Sequence, residues 1–217
     1  MNFIWILFTF VISYFLGGIN FSIIISKFTG KKQDIRCLGS QNAGFTNALR
    51  SLGILPAIMT FLGDFVKGMA CSLIGKSLIY KCGINSDYKF LFLILLGFFC
   101  CLGHMWPCFF GFKGGKGILT TWAFSLFLDW KIFVSLISIF LIVMFLYKII
   151  SLASIISAIA YPILVFIFTN NLTFSSHMIS SIVALIWSSI IIIKHRSNIQ
   201  RLISGDESKI KIKTNKK

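Results

Sequence analysis

Charged residues make up only 12% of this 217-residue chain. No polar stretch of about 50 residues or more interrupts it, which excludes a second soluble domain. The opening Met1-Asn2-Phe3-Ile4-Trp5-Ile6-Leu7 lacks a basic n-region, and its apolar run reaches Ile25 without a small-x-small cleavage site. It is therefore read as an uncleaved first span and not as a signal peptide. Cysteine is present without any CxxC pair or zinc-ligand spacing. Cys37, Cys71, Cys82, Cys100, Cys101 and Cys108 are expected to be small apolar fillers and not zinc ligands.

What the chain does have is apolar bulk, with 57% hydrophobic residues and a mean hydropathy of +0.89. That composition places it in lipid, as an all-α polytopic membrane bundle. Because crossing the hydrocarbon core takes about 20 apolar residues, breaks in the pattern divide the chain into candidate spans at Phe3 to Ile25, Ile54 to Ile79, Phe90 to Leu102, Ile118 to Leu128, Ile132 to Tyr147, Leu152 to Phe168 and Met178 to Ile193. These make about seven transmembrane helices, or five if the fourth and fifth segments form a re-entrant pair. The fourth as written covers only about half a bilayer at about 1.5 Å per residue. The phenylalanines carry no functional weight, since core or lipid contact accounts for them.

Cytoplasmic loops retain lysine and arginine, and here the cations fall in alternate connections. Lys27, Lys31, Lys32, Arg36 and Arg50 mark the first, Lys113 and Lys116 the third, Lys148 the fifth, and Lys194, Arg196 and Arg201 open the tail. The N-terminus is expected outside and the C-terminus in the cytoplasm. One membrane-embedded domain is expected over 1–208, followed by a basic cytoplasmic tail, 209–217, lying on anionic headgroups.

Three polar segments fall on the cytoplasmic side. Gly39-Ser40-Gln41-Asn42-Ala43-Gly44-Phe45-Thr46-Asn47-Ala48-Leu49-Arg50 mixes glycine with hydroxyl and amide groups suited to phosphate oxygens, and Arg50 can hold a phosphate through paired hydrogen bonds. Taken alone it reads equally as a set of turns. Gly103-His104-Met105-Trp106-Pro107-Cys108-Phe109-Phe110-Gly111-Phe112-Lys113-Gly114-Gly115-Lys116-Gly117 leads straight into a helix. Its glycines let backbone approach an anion, the helix end offers free N–H groups, and two lysines add charge. The spacing is not Walker A, because Lys116 stands where that pattern needs its second glycine. In the last segment, Lys194 to Glu207, a helix would align His195, Asn198 and Arg201 or Leu202. The plain alternative there is a basic helix on headgroups.

Together these segments resemble the acyl-phosphate-dependent glycerol-3-phosphate acyltransferases, the PlsY family of bacteria. The resemblance rests on Gly39-Ser40-x-Asn42-x-Gly44-x-Thr46-Asn47 with Arg50, then Gly103-His104-x-x-Pro107-x-Phe109-x-Gly111-Phe112-Lys113-Gly114-Gly115-Lys116-Gly117, then His195-x-x-Asn198-Ile199-x-Arg201-Leu202-x-x-Gly205-x-Glu207. The departures are Gln41, where the family commonly has glycine, and Ala43, where it often has proline. The resemblance implies transfer of a fatty acyl group from acyl phosphate to the 1-hydroxyl of glycerol 3-phosphate, giving lysophosphatidate and inorganic phosphate at the cytoplasmic face of the bacterial inner membrane. It needs no cofactor and no nucleic acid. The partners it implies are the two substrates, membrane lipids and the enzyme that makes acyl phosphate.

Carried onto this sequence, the catalytic set is Ser40, Arg50, Lys113, His195 and Asn198. The phosphate-binding set is Asn42, Gly44, Thr46, Asn47, His104, Gly114, Gly115, Lys116, Gly117 and Arg201. The general base is poorly provided, because the cytoplasmic carboxylates are Asp34, Asp206 and Glu207 and none lies in a glycine-rich segment. Either His195 or a substrate phosphate oxygen takes the hydroxyl proton, and the activated donor favours the phosphate. Glu207 is assigned to structure, pairing with Arg196 or Arg201. Asp64 and Lys67, three apart in the second span, are expected to neutralise one another, with a place in the substrate pocket as the alternative. His177 is expected to be inert.

Two rival readings are open to test. An anion channel or transporter would share the basic mouth, but no span carries a run of polar residues to line a path. Acyltransferases with a His-x4-Asp motif are excluded, since the corresponding residues after His104 and His195 are Phe109 and Gln200.

Overall fold

The computed structural model describes residues 3–29 and 32–209, so Lys31 and the tail from 210 onward lie outside the described residues. The described chain is helical in every regular element: α1 (Phe3–Gly18), α2 (Phe21–Phe28), α3 (Phe45–Ser51), α4 (Ile54–Lys81), α5 (Ser86–Met105), α6 (Ile118–Leu128), α7 (Trp130–Tyr147), α8 (Ile150–Phe168), α9 (Phe174–Lys194) and α10 (Arg196–Ile203). Short 3-10 turns at Ile35–Cys37 and Cys108–Phe110 sit in the polar loops.

Every candidate span is helical, and six stretches are long and apolar enough to cross a membrane. The third expected span is longer than the hydropathy alone indicated: Asn85 caps α5 four residues upstream, accepting from the Asp87 N–H at 3.2 Å, and the helix runs 20 residues. The fourth stays short at 11 residues. The first span is broken, since α1 ends at Gly18 and the Asn20 side chain caps α2 by accepting from the Ile23 N–H at 3.2 Å. With that N–H diverted, the Ile19 carbonyl is left without its helical donor.

The packing is that of a lipid-solvated bundle, with large apolar side chains outward and small or hydroxylated ones inward. Leu55, Ile58, Met59, Leu62 and Val66 face out from α4, while Thr60, Asp64, Lys67 and Ser72 are buried. Helices α1 and α5 touch through backbone: a β-carbon on Gly17 would collide with the Cys100 carbonyl, and one on Gly103 with that of Tyr14. Ser13 seals the contact by donating to the Leu96 carbonyl at 2.8 Å. Pro162 inside α8 cannot donate to the carbonyl one turn back, that of Ala158, and Ser188 of α9 donates to it at 2.5 Å instead. At the centre the fully buried Trp187 meets Tyr161 edge-on at 5.4 Å and Phe98 at 6.0 Å.

This arrangement gathers the polar loops at one end. Residues of the first loop, the α5–α6 connection, the start of α8 and the α9–α10 junction line one cavity. At the opposite end Leu128 packs with Ile79, Ile84 and Phe92.

Candidate active site

The first loop is organised by two side chains. Asp34 caps the turn at Ile35–Cys37 and grips Arg36 at Nε (3.0 Å) and Nη2 (2.8 Å). That pairing with Arg36 holds the Asp34 carboxyl below its ordinary value, against a partial opposition from burial. Arg36 keeps Nη1 free to donate to the carbonyls of Phe110 (2.6 Å) and Lys113 (3.1 Å), joining the first loop to the α5–α6 connection. Asn47 is the second organiser. Its amide donates to the carbonyls of Ile35, Leu38 and Asn42 at 2.9 to 3.1 Å, and its carbonyl accepts from the Ser40 N–H at 3.0 Å. It shapes the loop that presents Ser40. Gln41 stands at φ 59°, a left-handed conformation that glycine adopts without penalty, which explains the glycine common in the resembling family.

The α5–α6 connection folds back on the end of α5, where Gly114 N–H donates to the Met105 carbonyl (3.2 Å) and Gly115 N–H to that of His104 (3.1 Å). A β-carbon on Gly114 would strike the His104 carbonyl. On Gly115 it would strike the His104 ring at Nε2 and approach the Ala43 carbonyl to 2.6 Å. Gly117, at φ 89°, begins α6 with no side-chain cap, and Gly117, Ile118 and Leu119 line the cavity. The first-turn N–H groups of α6 therefore end at that wall, with the positive end of the helix dipole.

At the α9–α10 junction His195 Nδ1 donates to the Ile191 carbonyl at 2.8 Å, leaving Nε2 as the acceptor. Burial, then the neighbouring Lys116 cation, push its pKa down to about 4, so the ring is neutral near pH 7. Asn198 donates to Glu207 (3.0 Å) and accepts from Lys116 Nζ. Glu207 also takes Arg201 Nε at 2.7 Å, so the expected structural pairing is with Arg201. Burial, then Arg201, lower the Lys116 pKa to about 8, while Glu207 opposes them.

Deeper in the bundle, Lys67 Nζ forms an ion pair with Asp64 Oδ1 (2.9 Å) and hydrogen bonds with the free Ile19 carbonyl (2.9 Å) and His104 Nδ1 (2.8 Å). The pair neutralises itself and also reaches the site, because Asp64 and His104 line the cavity.

The cavity has a volume of about 230 Å³. Ser40, Asn42, Gly44, Thr46, Asn47, Arg50, His104, Lys116, Gly117, His195 and Asn198 all line it. Lys113 is exposed outside it, Gly114 and Gly115 support it from behind, and Arg201 is committed to Glu207. One end is polar and cationic. The apolar part is lined by Phe61 of α4, Trp122 of α6, and Phe140 and Met144 of α7, and Ser151 and Ser154 of α8 also belong to the wall. The structuring roles of Arg36 and Asn20 were not singled out from sequence. Paired spacing flagged Asp64 and Lys67, whereas only the fold reveals the clamp made by Arg36.

Known proteins resemble this chain over nearly its whole length. Residues 7–205 match the family model described as glycerol-3-phosphate acyltransferase. A glycerol-3-phosphate acyltransferase of Finegoldia magna is 38% identical over 210 residues, covering 97% of this chain and 98% of its own. One from Neisseria meningitidis is 35% identical, covering 92% and 94%. A crystal structure of PlsY, an integral membrane glycerol 3-phosphate acyltransferase in its glycerol 3-phosphate form, matches with a TM-score of 0.81 at 32% identity, covering 95% of this chain and 96% of that one. The lysophosphatidic acid form of the same enzyme matches with a TM-score of 0.78 at 32% identity, covering 95% of each chain.

Proposed function

This chain belongs to the glycerol-3-phosphate acyltransferase family, and from that premise we propose how its cavity carries out the reaction. The protein acylates glycerol 3-phosphate, and the donor we assign is acyl phosphate. The observation that carries the assignment is the division of one cavity into a cationic end, with Arg50 and Lys116, and an apolar end between α4, α6 and α7. A phosphorylated polyol belongs wholly at the first end, and an acyl phosphate spans both.

The 1-hydroxyl oxygen attacks the acyl carbonyl carbon, the bond from that carbon to the phosphate oxygen breaks, and the products are lysophosphatidate and inorganic phosphate. The α6 N–H groups and Lys116 hold the phosphoryl group of the donor, while Ser40 and Arg50 fix glycerol 3-phosphate, so the protein supplies mainly position and charge. A donor phosphate oxygen takes the hydroxyl proton, which leaves with the phosphate. His195, its pKa lowered to about 4 by burial and Lys116, is the weaker base. Its Nε2 lone pair is an acceptor for the hydroxyl of glycerol 3-phosphate that does not react. Asn198 holds Lys116, and Glu207 holds Asn198.

Residues 1–208 act as one membrane-embedded unit, and 209–217 as a basic tail. The site faces the bacterial cytoplasm, where the cationic loops belong and where water-soluble glycerol 3-phosphate is found. The enzyme that makes acyl phosphate is the expected partner. Incubating the purified protein in lipid with glycerol 3-phosphate and either palmitoyl phosphate or palmitoyl-CoA tests the donor: lysophosphatidate should form from the phosphate alone. Turnover of the thioester at a comparable rate contradicts the assignment.

A further inference from the structure

Lys67 is buried, and its ammonium has three close partners. It pairs with the Asp64 carboxylate, Oδ1 at 2.9 Å, donates to the Ile19 carbonyl at 2.9 Å and meets His104 Nδ1 at 2.8 Å. The carboxylate is its counter-ion, and the Ile19 carbonyl is open to it because the break between α1 and α2 removes that carbonyl's helical donor. An ammonium can only donate. His104 Nδ1 must therefore accept, and the neutral ring carries its proton on Nε2. Asp64 does not compete for Nδ1, since its nearest oxygen is 3.7 Å away, beyond hydrogen-bonding distance. The ring lines the cavity, and its Nε2 lies beside Gly115, where a β-carbon would collide with it.

We propose that Lys67, held by Asp64 and Ile19, is a positioning residue that fixes His104 as the Nε2–H tautomer, making its ring a hydrogen-bond donor to a substrate phosphate oxygen. Nδ1 is occupied, so His104 has no lone pair with which to take the glycerol hydroxyl proton. The two site histidines then have opposite polarity. His195 Nδ1 donates to a carbonyl, so its Nε2 accepts, whereas His104 Nε2 donates. The assignment to phosphate rests on the reaction proposed above; the tautomer does not.

Nitrogen NMR of the intact protein labelled at histidine, in lipid near neutral pH, tests the lock without turnover. Of its three histidines, His104, assigned by its loss in His104→Gln, should show a protonated Nε2 and a bare Nδ1. A protonated Nδ1 overturns the proposal whatever the enzyme's activity. Lys67→Met alone would strand the buried Asp64, so the second arm uses Asp64→Asn combined with Lys67→Met. In that variant both tautomers should appear, and KM for a phosphorylated substrate should rise about tenfold, the loss of one hydrogen bond to a charged group. A folded double variant with the wild-type tautomer and KM overturns the positioning role. Intact tautomer chemistry in a protein that turns over neither substrate would contradict the proposed reaction and leave the lock standing.

Discussion

Arg36 donates to the carbonyls of Phe110 and Lys113 at 2.6 and 3.1 Å while Asp34 holds the rest of its guanidinium. The first polar loop and the glycine-rich connection are thereby fastened together outside the cavity that they jointly line. Replacing Arg36 with alanine removes both bonds without touching substrate. The expected result is a fall in kcat/KM of about tenfold to a hundredfold, from about 1.5 to 3 kcal/mol of lost loop fixation. Steady-state kinetics of Arg36→Ala beside Arg36→Lys check this, and lysine should rescue only partly because it cannot fork between two carbonyls and a carboxylate.

Gly115 and Gly111 give a contrast within one loop. A β-carbon at Gly115 enters the His104 ring and the Ala43 carbonyl, whereas Gly111 has open space and only a φ of 63° to disfavour alanine. Gly115→Ala should abolish turnover. Gly111→Ala should cost about 1 kcal/mol of loop stability and reduce activity less than tenfold. Equal losses in the two variants would remove the steric argument.

Activity and stability should respond oppositely to alkaline pH through Lys116. Its pKa is lowered from 10.5 to about 8 by burial, so the cation that holds phosphate is lost as pH rises through about 8, and kcat/KM should fall there. Between about 8 and 10.5 the unfolded chain binds more protons at this lysine than the folded one does. This group's contribution to stability therefore rises with pH across that window. Thermal unfolding in detergent and a kcat/KM profile on one preparation, with Lys116→Met as the control lacking both trends, check the signs.

His195→Gln preserves a hydrogen-bonding side chain and removes the imidazole. If a donor phosphate oxygen takes the proton, activity should stay within about a hundredfold of wild type, the low end of what removing a general base costs. The alkaline limb near pH 8 should be unchanged, because it belongs to Lys116. Loss of an acid limb together with a larger loss of rate would return the base role to His195.

Hydropathy and the distribution of lysine and arginine made the helices and the polar loops legible in sequence, because both follow from transfer energies that act residue by residue. The glycine-lysine connection and His195, Asn198 and Arg50 were legible through their spacing, and the cavity gathers Lys116 and Gly117 of that connection with the other three. The extra turn of α5 was not, since it starts with Ser86-Asp87, polar residues held helical by the Asn85 cap. The work done by Arg36 and Asn47 was not legible either, because their partners are backbone carbonyls, whose positions no side-chain pattern encodes. Lys113 shows the reverse: the resemblance placed it in the catalytic set, yet the structure uses its carbonyl and leaves its side chain exposed.

The most direct test of the central claim is release of inorganic phosphate from palmitoyl phosphate by the protein in lipid, with and without glycerol 3-phosphate. Release that requires glycerol 3-phosphate and equals the lysophosphatidate formed is the predicted result. Release independent of glycerol 3-phosphate, or no release from a folded sample, contradicts it.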